Sequence, residues 1–316
     1  MKKIILGRTG IEVTELCFGT LPIGPLQKNE SVETAADVIA YALESGINFV
    51  DTAQVYRTYP QIKLAIEKSG IIPVISTKSS AKTYEEMEVA VQESLTEIGV
   101  SKIDIFLLHA ARVNNNALDE LDEPLQCLLD YKAKGLIGVV GISTHVVDVV
   151  KAAAKHPDID IVFPLLNQLG MGILGGTKAQ MEVAINECHK NNKGIFIMKA
   201  LAGGNLSSSY KEAMDYITDF SQGRFACALG MLNQDEVTMN IQYFSNEVIS
   251  HELSDKCINA KKFVIMPQCK KCGNCIKMCH SGAISMGETK AEIDALKCIK
   301  CGYCVSACPQ FVIRMN

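Results

Sequence analysis

Between residues 16 and 230 the chain alternates short apolar runs with longer stretches whose apolar residues recur every three or four positions. The apolar runs are 16–19 (LCFG), 47–50 (INFV), 71–77 (IIPVIST), 103–108 (IDIFLL), 137–142 (IGVVGI), 159–166 (IDIVFPLL), 194–198 (GIFIM) and 225–229 (FACAL). They lack the every-second polar position of a strand with one wet face, so they predict strands covered on both faces, as in a parallel sheet. Between them lie amphipathic stretches such as 31–45 and 83–98, the latter opening with Thr83 and Glu86 at capping-box spacing. Eight such units in about 240 residues predict an α/β fold of the (β/α)8 TIM barrel kind rather than a doubly wound sheet. No G-x-G-x-x-G follows any of the eight runs, which further weakens a dinucleotide-binding sheet. Ahead of the first strand, "KKIILGRTGIEVTEL" reads as a hairpin turning at Thr9 and Gly10 and closing the bottom of the barrel.

After the eighth run the pattern changes. Residues 244–268 read as helical and then extended, and they deliver the chain to a cysteine-dense tail. The predicted organisation is a barrel over 1–245, a connecting segment over 246–266 and a small domain over 267–316. Thirteen cysteines are present. Five (Cys17, Cys127, Cys188, Cys227, Cys257) are scattered through apolar stretches and read as reduced core thiols. The other eight form two C-x2-C-x2-C-x3-C motifs: Cys269, Cys272, Cys275 and Cys279, then Cys298, Cys301, Cys304 and Cys308, followed by Pro309. Three cysteines on a tight loop reach three corners of a cubane, and the fourth is carried away to the other cluster. One [4Fe–4S] cluster is thereby assigned Cys269, Cys272, Cys275 and Cys308, and the second Cys298, Cys301, Cys304 and Cys279. Zinc sites or disulfides would leave the third cysteine of each motif and Pro309 without a role. The stretch resembles a two-cluster, eight-iron ferredoxin domain, including "SGAI" after the first motif. His280 stands where that family usually has proline and reads as a loop residue.

Net charge is −4 with no block of like charges, so nucleic acid is not an expected partner. The tail holds seven basic against three acidic side chains. Oxidised clusters with four thiolates carry about −2 each, which brings the loaded tail close to neutral and discounts a basic docking face. The opening "MKKIIL" has too short an apolar run for a signal peptide, and no stretch approaches a membrane span. A cytoplasmic protein is expected, in an anaerobic or microaerobic cell because such clusters are oxygen-sensitive.

In a (β/α)8 barrel the strand C-termini face the active site. Reading those ends gives Asp51 and Tyr56 after strand two, Lys78 after strand three and His109 after strand four. Singly, each has a bland explanation: a cap, a loop aromatic, a surface charge, a core histidine. Together they are four ionisable groups at one barrel mouth. The segments "LGRTGIEVTELCFGT", "GINFVDTAQVY", "ISTKSS", "IDIFLLH" and "GLIGVVGIST" resemble the aldo/keto reductase superfamily over essentially all of 1–245. The resemblance implies that Asp51, Tyr56, Lys78 and His109 form a catalytic tetrad for carbonyl reduction or alcohol oxidation. Tyr56 would protonate the alkoxide as hydride reaches the carbonyl carbon, Lys78 would lower the phenol's pKa, Asp51 would hold Lys78, and His109 would orient the carbonyl oxygen.

The same resemblance assigns Ser143 and Asn167 to a nicotinamide carboxamide, with Gln168 a further candidate. Thr144 stands where many relatives have asparagine, and Met198 where an aromatic often stacks on the ring. "ALAGG" (200–204) suits a pyrophosphate through Gly203 and Gly204. "GMLNQDEVTMN" (230–240), with Gly230, Asn233 and Asn240, aligns with the adenosine-binding segment. It carries no basic residue for a 2′-phosphate and adds Asp235 and Glu236, which favours NADH over NADPH. A cluster passes single electrons whereas nicotinamide takes a hydride, so a flavin, FMN held by the strand seven and eight loops, is an alternative. Three readings stand: an iron–sulfur-linked aldo/keto reductase acting on a small carbonyl or alcohol; a ferredoxin-linked electron-transfer oxidoreductase with another cofactor; and a redox-responsive binding protein with an idle tetrad. An electron-transfer protein such as ferredoxin is the expected partner in the first two. Leu21, Pro22, Ile23, Met171 and the loop "ARVNNNALDE" suggest a mixed pocket.

Overall fold

A computed structural model describes residues 1–113 and 117–315. Eight parallel strands close into a barrel: β1 (Leu16–Gly19), β2 (Phe49–Asp51), β3 (Val74–Ser79), β4 (Ile103–His109), β5 (Ile137–Thr144), β6 (Ile161–Pro164), β7 (Gly194–Met198) and β8 (Ala226–Gly230), with β8 pairing β1. All eight apolar runs become strands, with ends shifted by up to a few residues, as expected where fraying decides boundaries. Helices alternate with them. Val32–Glu44 is capped by Ser31, whose hydroxyl accepts from Thr34 N–H. Tyr84–Ile98 is capped by Thr83 accepting from Glu86 N–H, while the Glu86 carboxylate reaches Lys82 N–H instead of closing the box on Thr83.

The barrel interior is a packed core. Phe163 stacks on Phe196 with ring centroids 3.8 Å apart, and Phe49 meets Phe196 edge-on at 5.0 Å. The hairpin predicted ahead of the first strand is present, Lys3–Ile5 pairing antiparallel with Glu12–Thr14, with Gly10 in the left-handed region at φ 73°. Its Ile4, Leu6 and Val13 join the interior cluster with Cys17, Phe49 and Ile105, so it plugs the bottom.

Beyond the barrel, helix His251–Asn259 leads to strand Phe263–Ile265, which pairs antiparallel with Ile313–Met315. This strand at the end of the connecting segment is thus part of the small domain's sheet. The cysteine motifs repeat one structure: Lys271 and Lys300 both at φ 55°, Gly273 and Gly302 each preceding a one-turn helix, Asn274–Lys277 and Tyr303–Ser306. A second two-stranded ribbon, Ile284–Met286 with Ala291–Ile293, lies between them. The small domain does not hang free. Its Phe311, Val312 and Ile313 share an apolar cluster with Ala202, Leu206 and Ala213 from beyond β7. No helix among the described residues is long and apolar enough to cross a membrane.

Because Leu6 is 1% exposed inside the plug while neighbouring Ile5 is 60% exposed, the two should respond differently to truncation. Leu6→Ala should cost about 2–4 kcal/mol in urea unfolding and Ile5→Ala less than about 0.5 kcal/mol. Equal midpoints would mean the hairpin does not seal the barrel.

Candidate active site

Strand register sets the four candidate groups at one rim. Asp51 stands opposite Gly19 on one side and Ser76 on the other, Lys78 opposite Leu107, and His109 opposite Ser143. Lys78 Nζ donates to Asp51 Oδ1 at 2.8 Å, to Asp51 Oδ2 at 2.7 Å and to the Thr52 carbonyl at 2.7 Å, and Ser76 Oγ donates to Asp51 Oδ1 at 3.0 Å. Lys78 is only 1% exposed. A one-turn helix, Gln54–Tyr56, brings Tyr56 over this pair; Ser79 Oγ donates to Gln54 Oε1 at 2.6 Å and pins the turn to β3. Lys78 Nζ lies 5.0 Å from the Tyr56 ring centroid, and the Tyr56 and His109 rings meet edge-on at 6.2 Å. The predicted tetrad is therefore one contiguous group.

Burial raises the Asp51 carboxyl and lowers the Lys78 ammonium, each towards its neutral form, and their mutual contact opposes both. With three short acceptor contacts on one ammonium, we take the pair as ionised. The Tyr56 phenol behaves differently from the expectation that Lys78 lowers it: burial, then the Asp51 charge, push it well above its ordinary value. Burial and the Asp51 charge together keep the phenol protonated. Burial, then Lys78 and Lys199, push His109 down to about 3, which leaves a neutral imidazole with an N–H to donate.

The residues assigned to a nucleotide fare unevenly. Ser143 is buried and its Oγ has no hydrogen-bond partner. Asn167 instead clamps its own loop, Oδ1 accepting from Met171 N–H and Nδ2 donating to Met171 O, both at 2.9 Å. The Gln168 carbonyl accepts from Lys178 Nζ. Asn233 caps the helix Gln234–Phe244, and Asn240 is held between Tyr210 Oη and the Glu236 carbonyl. Gly203 and Gly204 lie under the last strand of the small domain: a Cβ on Gly203 would meet Arg314, one on Gly204 the Met315 carbonyl, and Met315 N–H donates to Gly203 O at 3.0 Å. The two acids of the adenosine-type segment are not bare. Asp235 pairs with Lys256 at 2.6 Å and Glu236 with Lys261 at 2.7 Å, both lysines coming from the connecting segment.

Tyr56 and Asp51 open onto a cavity of about 140 Å³ whose wall includes Met198, Lys199, Gly230, Leu21, Pro22 and Arg314. Ile23 is fully buried beneath it, and Asn114, Asn115 and Asn116 of the asparagine-rich loop lie outside the described residues. Several participants escaped the sequence reading. Phe163 lines the cavity floor, with Lys78 Nζ 5.1 Å from its ring. Thr20, Thr58 and Thr52 form a buried chain of hydroxyls at 2.8 Å spacing that ties the ends of β1 and β2 to the following turn. Lys199 Nζ is 2.9 Å from His145 Nε2, and Arg112 reaches Gln310 of the small domain. Of these, Lys199 is read from the sequence, as a cation after strand seven within reach of a 2′-phosphate; its contact with His145 is not, and nothing local marks Arg314.

In the small domain, Cys269, Cys272, Cys275 and Cys308 line one hollow and Cys279, Cys298, Cys301 and Cys304 the other, which is the crossed partition read from the motif. Among the described residues no three metal-binding side chains gather round a single-ion point; the thiols stand around a space instead. The donor chemistry fits a cluster. Burial and then crowding by Cys298, Cys279 and Cys301 push Cys304 up to about 11, a strain that iron relieves. Burial alone would raise Cys279, but hydrogen bonds from Ser281 and from the Ala283, Ile284 and Ser281 backbone hold it below its ordinary value, as befits a thiolate ligand.

Comparison with known proteins agrees on both halves. Residues 268–312 match the 4Fe-4S dicluster domain. A Bacillus subtilis protein called an uncharacterized oxidoreductase is 27% identical over 176 residues, 50% of this chain and 54% of that protein. The Saccharomyces cerevisiae glycerol 2-dehydrogenase (NADP(+)) is 31% identical over 110 residues, 34% of this chain and 33% of that protein. The chain thus spans about half the length or less of these curated relatives. A solved structure from Pseudomonas aeruginosa described as an aldo-keto reductase superposes with a TM-score of 0.64 at 25% identity, covering 77% of this chain and 95% of that one. Residues 15–237 match the aldo/keto reductase family, and with its closed eight-stranded barrel the chain belongs to that family, with an added 4Fe-4S dicluster domain.

Proposed function

We infer that the barrel interconverts a small carbonyl compound and its alcohol, with NADH as the hydride carrier and the two clusters exchanging electrons with a partner such as ferredoxin. The observation that carries this reading is the buried Lys78–Asp51 pair lying beneath Tyr56 at the wall of a cavity. When bound, the nicotinamide supplies the hydride. The protein's share is proton placement and orientation. Tyr56 keeps its proton and gives it to the substrate oxygen as negative charge develops there. His109, a neutral imidazole, donates its N–H to the same oxygen. Asp51 and the Thr52 carbonyl hold Lys78 so that its charge supports the phenolate left behind, at the moment that charge is needed. Ser143, with an unpartnered buried hydroxyl, suits the nicotinamide carboxamide.

A second reading is favoured by one observation: residues 313–315 lie across Gly203 and Gly204, where a pyrophosphate would rest. On that reading the barrel takes a different cofactor, FMN among them, and the chain is a ferredoxin-linked oxidoreductase. An anaerobic preparation assayed for co-purifying nucleotide and flavin separates the two.

Three outcomes are expected. Anaerobically purified protein should carry about eight irons per chain, and Cys308→Ala, although in the second motif, should strip the first cluster and leave about four; two zincs per chain would reject the assignment. Tyr56→Phe should lower kcat for carbonyl reduction by at least about 10² with nucleotide affinity nearly unchanged, and near-normal turnover would mean an idle tetrad. NADH should bind at least about fivefold more tightly than NADPH, because the two lysines nearest the adenosine-type segment, Lys256 and Lys261, are committed to Asp235 and Glu236. Calorimetric titration of both nucleotides checks this, and tighter NADPH binding would refute it.

A further inference from the structure

The two cysteine motifs share a backbone but not a surface. Lys271 and Lys300 both stand at φ 55°, and Gly273 and Gly302 both lead into a one-turn helix. At matched positions, however, the first motif carries Lys270 and Asn274 while the second carries Ile299 and Tyr303. Those two apolar side chains do not fold inward: Ile299 is 70% exposed and Tyr303 55%. Leu296, just ahead of the second motif, is 99% exposed, and Met278, next to Cys279, is exposed as well. Ile299 and Met278 line the hollow of the second thiol set, and the Tyr303 ring meets His280, the residue after Cys279, edge-on at 5.8 Å. Four of the thirteen large apolar side chains exposed among the described residues therefore gather around one hollow. Exposed apolar residues scattered singly need no explanation, but a group of them with a polar border marks an interaction site.

The two hollows face different ways. Gln310, Val312 and Ile313 line the first; Gln310 accepts from Arg112 of the barrel, and the next residue of that strand, Arg314, enters the cavity of Tyr56. The wall of the second holds no barrel residue among the described ones. The domain thus has an inner end and an outer end, and the apolar group sits at the outer one. Its border is basic. Lys277 precedes Met278, and Lys297 and Lys300 bracket Cys298 and Ile299. Among the described residues only Asp294 answers these cations, 3.6 Å from Lys297, while Lys300 Nζ donates to the Asn259 carbonyl at 3.0 Å. The loaded tail is near neutral as a whole, but its negative charge lies on the clusters and its ammoniums lie at the surface.

We propose that this patch is the docking port for an acidic one-electron carrier protein, which covers Leu296, Ile299 and Tyr303 and sets its carboxylates against Lys277, Lys297 and Lys300. An apolar centre with a charged rim is the anatomy of a protein interface. A contact of about four apolar side chains is small, as suits the transient encounters of redox partners, which lie at the low end of interface size. The proposal rests on the reading above, in which the clusters exchange electrons with a partner, and adds the surface used and the charge of the protein that fits it. One electron passes per encounter: the partner is oxidised by one, the chain is reduced by one, and no atom is exchanged.

The test uses the anaerobic holoprotein and two probes, an acidic plant-type [2Fe–2S] ferredoxin and the basic cytochrome c. Calorimetric titration at low salt should show the ferredoxin binding one to one, weakened at least about fivefold by about 0.3 M salt. Leu296→Asp should weaken it at least about tenfold, and so should Tyr303→Asn, which installs the residue that the first motif carries on the same backbone. Lys277→Glu combined with Lys300→Glu should flatten the salt dependence and slow association at least about tenfold in stopped flow. Met286→Asp, at the exposed apolar side chain beside the first hollow, should leave the affinity within about twofold. If Tyr303→Asn loses iron, Leu296→Asp decides, its side chain lying wholly in solvent. Tighter binding of cytochrome c than of ferredoxin, or an equal loss in Met286→Asp and Leu296→Asp, overturns the proposal. So does a wild-type dimer in sedimentation that Leu296→Asp splits, because the patch would then join two copies of this chain. The port and the reductase reading fail separately. NADH-dependent carbonyl reduction in a protein that binds no ferredoxin rejects the port alone. Binding that follows the variant pattern in a protein without carbonyl reduction upholds the port and rejects the barrel chemistry.

Discussion

The ammonium of Lys78, buried to 1% exposure against Asp51, is the constraint around which the barrel mouth is organised. A desolvated charge is tolerable only with near-complete hydrogen bonding, and removing one partner of such a pair costs about 3–5 kcal/mol. Every local feature of the rim serves that requirement. Asp51 is fixed by its register with Gly19 and Ser76 and by the Ser76 hydroxyl. The Thr52 carbonyl is held in place by a hydroxyl chain running to Thr58 and Thr20. Tyr59, next in the chain, ties the following helix to β3 through Thr77 Oγ1 at 2.8 Å. Tyr56 inherits its position from this scaffold. Because it is buried and lies near the Asp51 charge, the phenol stays protonated.

The sequence made the barrel legible because its signal is local. Eight apolar runs, each bounded by an amphipathic stretch, became eight strands, and the ends of strands two to four carried the four ionisable groups that the fold brings to one rim. The cysteine spacing was equally local, and the crossed partition of thiols around two hollows followed from it. What stayed hidden depends on contacts between distant segments. Asn240 looks like a free amide in the sequence, yet its Oδ1 accepts from Tyr210 Oη, thirty residues away. Asp235 and Glu236 look repulsive, yet lysines some twenty residues later neutralise both. Phe163 reads as one more core residue of β6 until the barrel closes and it becomes the cavity floor.

Arg314 is the extreme case. Its approach to Gly203 is set by the small domain docking on the barrel face where β7 ends; the point of fusion puts the domain at that face, but no local pattern brings Arg314 to Gly203. The glycines of "ALAGG" are needed for close approach, as read from the sequence. What approaches them is protein: the Arg314 side chain and the Met315 carbonyl. A glycine pair therefore specifies a backbone that something must touch, and leaves the identity of the toucher to the rest of the fold.

One short stretch joins the two halves physically. Cys308 belongs to the first set of cluster thiols, Gln310 accepts from Arg112 after β4, and Phe311 packs on Gly172 beyond β6. The Ile313 carbonyl accepts from Asn205, Arg314 enters the cavity, and Met315 bonds Gly203. Within eight residues the chain passes from a cluster ligand to the wall of the pocket that holds Tyr56. Extended backbone spans about 3.3 Å per residue, so this path covers at most about 25 Å and contains no flexible linker to absorb a displacement. The strand it ends in is fixed on one side by pairing with Phe263–Ile265 and on the other by the barrel. Cys308 and Arg314 are thus held on one short segment anchored to the barrel at Gln310 and Phe311. The iron–sulfur domain is built into the barrel mouth, and its fold and the pocket's shape are parts of one packing problem.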